Sequence, residues 1–314
     1  GLGDRILRAQ ALAGMSKAAR YRGRYHEAQE AAEECLELGE QLGNPALIAQ
    51  GHSHLGITLW LLGDFPRAYT HLQESLAICT ELGDPDGSAF TCNNHYRLCL
   101  VLVAMGRLRE AQSTAERGLQ LARKSGDTVA EGGCLEQLGL FALTQGDAAR
   151  AHELISDSMR VMRALGAADE LNALEGSLAL AEHALGQTRA AQRRLVTSLG
   201  NAVSMSTLLV LGRLVACSAR LLEAAGQHRR ALELGVLALQ QPLIAGSLYR
   251  ELLAPPLASA ADALPADVVA MAQAREYSSD FVMVAHELLR ELRAAGWGTE
   301  DDERASGSSS AGET

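Results

Sequence analysis

Aromatic residues are scarce in this sequence, and their scarcity bears on the fold. They make up 4% of the 314 positions, whereas hydrophobic residues as a whole make up 47%. Strands of sandwiches and barrels are enriched in aromatic and β-branched residues, whereas closely packed helices can be built from Leu, Ala and Val. The composition therefore favours an all-helical protein over an all-β one.

Basic residues are also few, and they are not clustered. Only Lys17 and Lys124 are lysines among the 28 basic residues, and the formal net charge is −10. Nucleic-acid binding depends on a basic surface, and no run of Lys and Arg follows one face of a predicted helix. The sequence has no signal-peptide pattern and no apolar run long enough to span a bilayer. We therefore expect neither a nucleic-acid partner nor a membrane contact.

The motifs of common catalytic and metal sites are missing as well. The sequence contains no C-x-x-C pair, no Gly-x-x-x-x-Gly-Lys-[Ser/Thr], no His-Glu-x-x-His and no Gly-x-Ser-x-Gly. All six cysteines fall within predicted helices, which indicates buried, reduced thiols and a cytoplasmic location. We therefore expect a protein that is not an enzyme and that holds neither a metal nor a cofactor.

What the chain does contain is a recurring glycine, followed five residues later by an alanine. The glycines are separated by steps of 40, 43, 40, 40 and 40 residues; they are Gly23, Gly63, Gly106, Gly146, Gly186 and Gly226. Between them, apolar residues fall at the three- and four-residue spacing of helices. Glycine commonly follows the last turn of a helix. A period of this length predicts stacked helical hairpins, each turning at one of these glycines.

A second position in each repeat also keeps a small side chain. It lies seven residues before the turn glycine and is occupied by Ser16, Gly56, Cys99, Gly139, Ala179 and Ala219. Small residues at facing positions would let the two antiparallel helices of a hairpin approach closely. The fifth repeat is the least regular, because Glu182 and Ser206 replace the expected apolar residue and glycine.

These residues resemble the tetratricopeptide repeat, whose small, Gly, aromatic and Ala positions match Gly56, Gly63, Phe65 and Ala68. The repeat here is near 40 residues instead of roughly 34. In this it is similar to the long MalT-type repeats of bacterial transcriptional activators and signalling ATPases of the STAND class. The resemblance implies a right-handed α-solenoid of six hairpins over residues 1–246.

The period breaks after Gly246. Pro255-Pro256 and Pro265 predict that residues 247–295 form short capping helices, the first two at about 247–254 and 257–263. Residues 296–314 are acidic and rich in Gly and Ser, which predicts a disordered tail.

In repeats of this family the first helix of each hairpin lines a concave groove. Positions 13, 10, 6 and 3 residues before each turn glycine share one helical stripe. The candidate partner-binding residues on it are Gln10, Lys17, Gln50, Ser53, Trp60, Asn93, Tyr96, Glu136, His183, Arg213 and Arg220. Amides can pair with an extended peptide, and Trp and Tyr are enriched in hot spots. We expect a peptide or protein segment centred on Gln50, Trp60, Asn93 and Tyr96; the alternative is a polar surface without a dedicated ligand.

The resemblance implies a non-catalytic scaffold that binds peptides or proteins. Leu2-Gly3-Asp4 repeats the short pattern of Leu42-Gly43-Asn44 and Leu82-Gly83-Asp84, which lies between predicted hairpins. The sequence therefore opens at a predicted repeat boundary. We therefore expect part of a longer protein, and the resemblance implies the C-terminal sensor region of a larger bacterial regulator, able to contact upstream domains of the same chain. The alternative is a freestanding adaptor or co-chaperone-like assembly protein.

Overall fold

The structure is a computed structural model of the chain, and it describes residues 1–83, 89–205, 208–274 and 281–298. These residues form helices and the turns between them, without a β-strand, so the all-helical prediction is confirmed for them. The helices are α1 (Leu2–Tyr21), α2 (Tyr25–Gln41), α3 (Pro45–Leu62), α4 (Phe65–Glu81), α5 (Ala89–Ala104), α6 (Leu108–Ser125), α7 (Thr128–Thr144), α8 (Ala148–Leu165), α9 (Ala168–Ala184), α10 (Thr188–Met205), α11 (Leu208–Ala224), α12 (His228–Leu239), α13 (Pro242–Ala245), α14 (Leu248–Asp262), α15 (Ala266–Ala274) and α16 (Phe281–Ala294).

Consecutive helices pack as hairpins that turn at the predicted glycines. The packed pairs are α1–α2, α3–α4, α5–α6, α7–α8 and α9–α10, and Gly226 joins α11 to α12. All six turn glycines have φ between 72° and 84°. That is the left-handed region, which a residue without a Cβ enters at little cost. Each of the six predicted turn glycines therefore lies between two helices, in a backbone conformation that favours glycine.

The small residues lie where the two helices of a hairpin meet. A Cβ on Gly56 would stand 2.5 Å from Leu72 Cγ and 3.3 Å from the carbonyl oxygen of Ala68. In the first hairpin, the Ser16 hydroxyl donates to the carbonyl oxygen of Ala28 over 2.7 Å. The predicted close approach of the paired helices is confirmed at these positions.

The chain divides into two compact units. Unit 1 comprises Gly1–Ala167 and Leu239–Leu252, and unit 2 comprises Ala168–Ala238 and Leu253–Thr314. Unit 1 contains α1 to α8. In unit 2, α16 packs on α10 and α11, and Arg230 of α12 donates to both carboxylate oxygens of Glu291 over 2.8 and 3.0 Å.

Two expectations for the C-terminal region are corrected. Helix α14 runs without a break through Pro255 and Pro256, where two separate pieces were expected. The φ angle that proline fixes is itself helical, so the cost is limited to lost N–H donors and local clash. Order also extends beyond residue 295, because Trp297 is 6% exposed and supplies an apolar surface to bury. The rest of the predicted tail, residues 299–314, and Ser206 lie outside the described ranges.

Candidate functional site

The first helices of successive hairpins are neighbours in unit 1. Helix α3 contacts α1 and α5, and α5 contacts α7. We call the surface formed by α1, α3, α5 and α7 the first-helix surface. Eight of the predicted site residues lie on these helices: Gln10, Lys17, Gln50, Ser53, Trp60, Asn93, Tyr96 and Glu136.

A line of buried polar side chains ties α3, α4 and α5 together beneath this surface. The Arg97 guanidinium donates to the Ser53 hydroxyl, which in turn donates to Asn94 Oδ1. Asn94 Nδ2 donates to the Ser75 hydroxyl over 2.8 Å, and Ser75 donates to the carbonyl oxygen of Ala49 over 2.7 Å. Since Ser53, Asn94 and Ser75 are 0% exposed, these bonds satisfy groups that water cannot reach. They also hold the Arg97 side chain in place.

A second arginine reaches the same region from α1. Arg20 Nη1 lies 3.1 Å from Ser16 Oγ, 3.2 Å from His54 Nδ1 and 3.4 Å from Thr58 Oγ1. All three partners are neutral at pH 7. Among the described residues neither Arg20 nor Arg97 forms an ion pair with a carboxylate.

Burial is the main influence on the pKa values of the two arginines. Burial and repulsion from Arg97 lower the pKa of Arg20 to about 10. Burial also lowers the pKa of Arg97 to about 10, against opposing contributions from two tyrosines and Asp127. Both guanidinium groups remain charged at pH 7, so the first-helix surface contains two partly buried cations that a bound anion would stabilise.

The histidine beside these arginines is kept neutral. Burial and the charges of Arg20, Arg97 and Lys17 lower the pKa of His54 to about 3. A neutral imidazole can accept the hydrogen bond from Arg20 through Nδ1, which a protonated ring could not. His54 therefore positions Arg20 without adding a third positive charge.

Two of the four predicted central residues link α5 to α7. Asn93 Nδ2 donates to Asp127 Oδ2 over 2.6 Å, and Asp127 caps the N-terminus of α7. The Tyr96 ring covers Gly133, because a Cβ there would stand 2.7 Å from ring atoms Cε2 and Cζ. Asn93 and Tyr96 are only partly exposed, so each combines a structural contact with a face open to solvent.

The remaining predicted residues of unit 1 differ in exposure. Gln10 and Lys17 are exposed, and Gln50 and Trp60 are partly buried. Ser53 and Glu136 are 0% and 7% exposed, which corrects their predicted role in direct ligand contact. The neighbouring first helix covers part of the predicted stripe, since the Ser53 hydroxyl donates to Asn94 Oδ1 of α5.

The other three predicted residues, His183, Arg213 and Arg220, belong to unit 2. His183 Nδ1 lies 3.3 Å from Thr188 Oγ1, and Arg213 donates to the Ser177 hydroxyl over 3.3 Å. Arg220 Nη1 lies 3.9 Å from a carboxylate oxygen of Glu223. Each of the three has a polar neighbour within its own unit.

The irregular fifth repeat contains a buried ion pair in unit 2. Glu182 stands where an apolar residue was expected, and it is only 5% exposed. It accepts from Arg194 Nη2 over 2.7 Å and from Nε over 3.0 Å. Arg194 also donates to Glu175. The substitution is therefore compensated by a bidentate partner on α10.

Sequence reasoning missed Arg97, His54 and Asn94. They precede their turn glycines by nine or twelve residues, next to the predicted stripe and not on it. A usable signal was present, because polar side chains stand at these positions in helices that are otherwise largely apolar. Among the described residues, no group of three or more His, Cys, Asp or Glu is arranged to hold a metal ion. None of the helices described above is long and apolar enough to cross a membrane.

These hairpins, turn glycines and small-residue contacts define a tetratricopeptide-like repeat array. Residues 47–124 match a family model described as tetratricopeptide repeat, which confirms the resemblance for that segment. No curated protein matches the chain in sequence.

Several solved structures match the chain. A Rap protein complexed with Competence and Sporulation Factor has a TM-score of 0.55 and 12% identity, covering 95% of this chain and 94% of that one. BtubC (BKLC) from P. vanneervenii has a TM-score of 0.47 and 14% identity, covering 66% of this chain and 92% of that one. A putative kinesin light chain with TPR-like repeats from Podospora anserina has a TM-score of 0.48 and 16% identity, covering 64% and 97%. The likeness to Rap confirms the repeat-solenoid fold.

Proposed function

We propose that the chain is a non-catalytic binding scaffold, and that its first-helix surface binds a peptide or protein segment carrying a carboxylate. The observation that carries this proposal is the pair Arg20 and Arg97. Both are partly buried cations, held by neutral side chains and without an ion pair to a carboxylate of the described chain. A guanidinium binds a carboxylate through two parallel hydrogen bonds, so a ligand carboxylate would supply the missing counter-charge.

Neighbouring side chains support a peptide as the bearer of that carboxylate. Gln50 on α3 forms no hydrogen bond within the described structure, so its amide is available to a peptide backbone. Trp60 and Tyr96 on the same surface are partly exposed and can contact apolar side chains. A Rap protein of the same fold was solved in complex with Competence and Sporulation Factor, which supports a ligand-binding role for such an array.

The test selects peptides from a random library on the full chain and measures affinity by fluorescence anisotropy. Selected peptides should contain Asp, Glu or a free C-terminus, and converting that group to an amide should abolish binding. Arg97→Met should weaken binding at least about tenfold, because the bidentate contact is lost. The matched control is Arg163→Met, since Arg163 is exposed on α8. Equal affinity of the parent and both variants, with helicity intact, would exclude this surface as the site.

We further propose that the chain forms the C-terminal sensor region of a larger bacterial, cytoplasmic STAND-type signalling ATPase or transcriptional regulator. This rests on the resemblance of the repeats, with their length near 40 residues, to those of MalT-type regulators. The alternative is a freestanding adaptor or co-chaperone-like protein. The genomic reading frame distinguishes them: a nucleotide-binding P-loop encoded upstream supports the regulator, and a start codon close to Gly1 supports the adaptor.

A further inference from the structure

Two histidines of the second hairpin face each other, His52 on α3 and His71 on α4. Their Nδ1 atoms are 2.8 Å apart, and the ring centroids are 5.1 Å apart with the planes tilted by 40°. Both side chains are partly buried, so solvent still reaches the pair. A hydrogen bond between the rings requires one Nδ1–H to donate while the other Nδ1 accepts. If both rings carry their proton on Nε2 instead, two nitrogen lone pairs face the same space.

The equivalent pair of positions in other hairpins holds side chains that satisfy each other. The two positions lie eleven residues before and eight residues after the turn glycine. Four of the other five hairpins have apolar or oppositely charged pairs there: Leu12 and Ala31, Leu135 and Leu154, Val215 and Leu234, and the ion pair of Glu175 with Arg194. Apolar side chains are therefore sufficient for packing at this place, and the two imidazoles require another explanation.

The charges around the two histidines favour a cation. Apart from the rings themselves, the charged groups that act on them are the carboxylates of Glu33, Glu40 and Glu74 and the guanidinium of Arg67. Burial is the main influence on both rings and lowers the pKa of His52 and of His71, so both are neutral at pH 7. A metal ion binds the neutral ring, so no imidazolium has to be deprotonated first.

We propose that His52 and His71 bind a divalent transition-metal ion of the zinc type through their Nδ1 atoms, with water at the remaining positions. Imidazole nitrogen is a ligand for Zn²⁺, Ni²⁺ and Cu²⁺, whereas Mg²⁺ and Ca²⁺ prefer oxygen. Two nitrogens bound to a tetrahedral ion at about 2.0–2.1 Å stand roughly 3.3–3.4 Å apart, so the rings would separate by about 0.5 Å. Small side-chain rotations are enough for that movement.

The site has two protein ligands, which sets it apart from the groups of three or more that are absent from the described residues. The two histidines stand 19 positions apart on different helices. No short motif marks them, which is why the sequence predicts no metal. A bound ion would cross-link α3 to α4 and stabilise the second hairpin.

The experiment titrates the full, metal-free chain with zinc chloride by isothermal titration calorimetry. We expect saturable binding, and long-range ¹H–¹⁵N spectra of the histidine-labelled chain should show that both Nδ1 resonances shift. His71→Gln should weaken binding at least about tenfold, since loss of even an outer-shell partner of a metal typically costs about 10–100-fold. His52→Leu combined with His71→Leu reproduces the Leu135 and Leu154 pair of the fourth hairpin. This double variant should fold and should not bind zinc here.

The matched control is His26→Gln on α2, because His26 is an exposed histidine on a helix rich in glutamate. It should bind zinc like the parent. Zinc should raise the melting temperature of the parent and of this control, but not that of the double variant. Absence of saturable binding, or Nδ1 resonances that do not shift, would overturn the proposal and leave a hydrogen-bonded histidine pair only. Equal zinc affinity of the parent and the double variant would overturn it as well, since the ion would then bind elsewhere.

Discussion

Replacing Gly51 with alanine should show how strongly neighbouring hairpins depend on close backbone approach. The new Cβ would stand 2.7 Å from Leu36 Cα, 2.7 Å from Leu36 Cβ and 2.9 Å from Leu36 N. Carbon atoms in contact prefer roughly 3.5–4.0 Å, so α2 and α3 would have to separate by about 1 Å. Two of these three atoms belong to the backbone, so no side-chain rotation relieves the clash.

Two opposing effects determine the size of the change. Alanine in place of glycine within a helix stabilises it by about 0.8–1.0 kcal/mol. Overpacking a tight contact costs about 1–3 kcal/mol, and here it also opens the contact of Leu47 with α2. The difference between cost and gain should lower the free energy of unfolding of Gly51→Ala by up to about 2 kcal/mol.

The matched control is Gly14→Ala on α1, where an added Cβ meets no atom within 4 Å. It keeps the propensity gain without the clash and should raise stability by about 0.5–1 kcal/mol. Urea denaturation followed by far-UV circular dichroism gives the midpoints, and amide hydrogen exchange tests whether the loss is centred on α2 and α3. If Gly51→Ala is as stable as Gly14→Ala, the two helices do not approach as closely as the structure shows.

Three further predictions concern burial and charge. Ala111→Leu should lower the melting temperature, because Ala111 is 0% exposed and overpacking there costs about 1–3 kcal/mol; an unchanged melting curve would contradict its placement. Burial and neighbouring cations lower the pKa of His54 to about 3. Between about pH 6.5 and pH 3 the His54 side chain is therefore protonated in the unfolded chain but not in the folded one. The free energy of unfolding should fall as the pH drops through this range. His54→Gln should reduce the slope of unfolding free energy against pH by up to about 1.4 kcal/mol per pH unit. His26→Gln, at an exposed position, is the control and should leave the slope unchanged. Equal slopes for the parent and His54→Gln would refute the prediction. Arg194→Met should lower the free energy of unfolding by about 3 kcal/mol, because buried Glu182 loses its bidentate partner. Adding Glu182→Leu to this variant should restore most of the lost stability. If Arg194→Met alone is as stable as the parent, the buried ion pair is contradicted.

The sequence determined the repeat because the signals that define it are local. A turn needs a residue that tolerates positive φ, and Gly63 supplies it wherever the rest of the chain lies. A close helix crossing needs small side chains, and Gly56 and Ala68 mark it by their spacing from that turn. Each feature depends on residues within one hairpin, so a pattern of a few positions was enough to predict it.

The candidate site could be predicted only in part, because its chemistry depends on which hairpins are adjacent. Spacing placed Gln50, Trp60 and Tyr96 on first helices, but it could not show that Ser53 is covered by α5 and bonded to Asn94. The continuity of α14 could not be predicted from the sequence either. The helix runs through Pro255 and Pro256, and Pro256 is buried in the tertiary structure.

Only the tertiary structure decided that Arg20 and Arg97 come near each other without an ion-paired carboxylate. They stand 77 positions apart in the sequence, on helices that belong to different hairpins. Helix propensity and apolar period are set by a residue and its near neighbours along the chain. Desolvation and the presence of a counter-charge are set by whatever packs against the side chain, and in a stacked array that is a residue one or two repeats away.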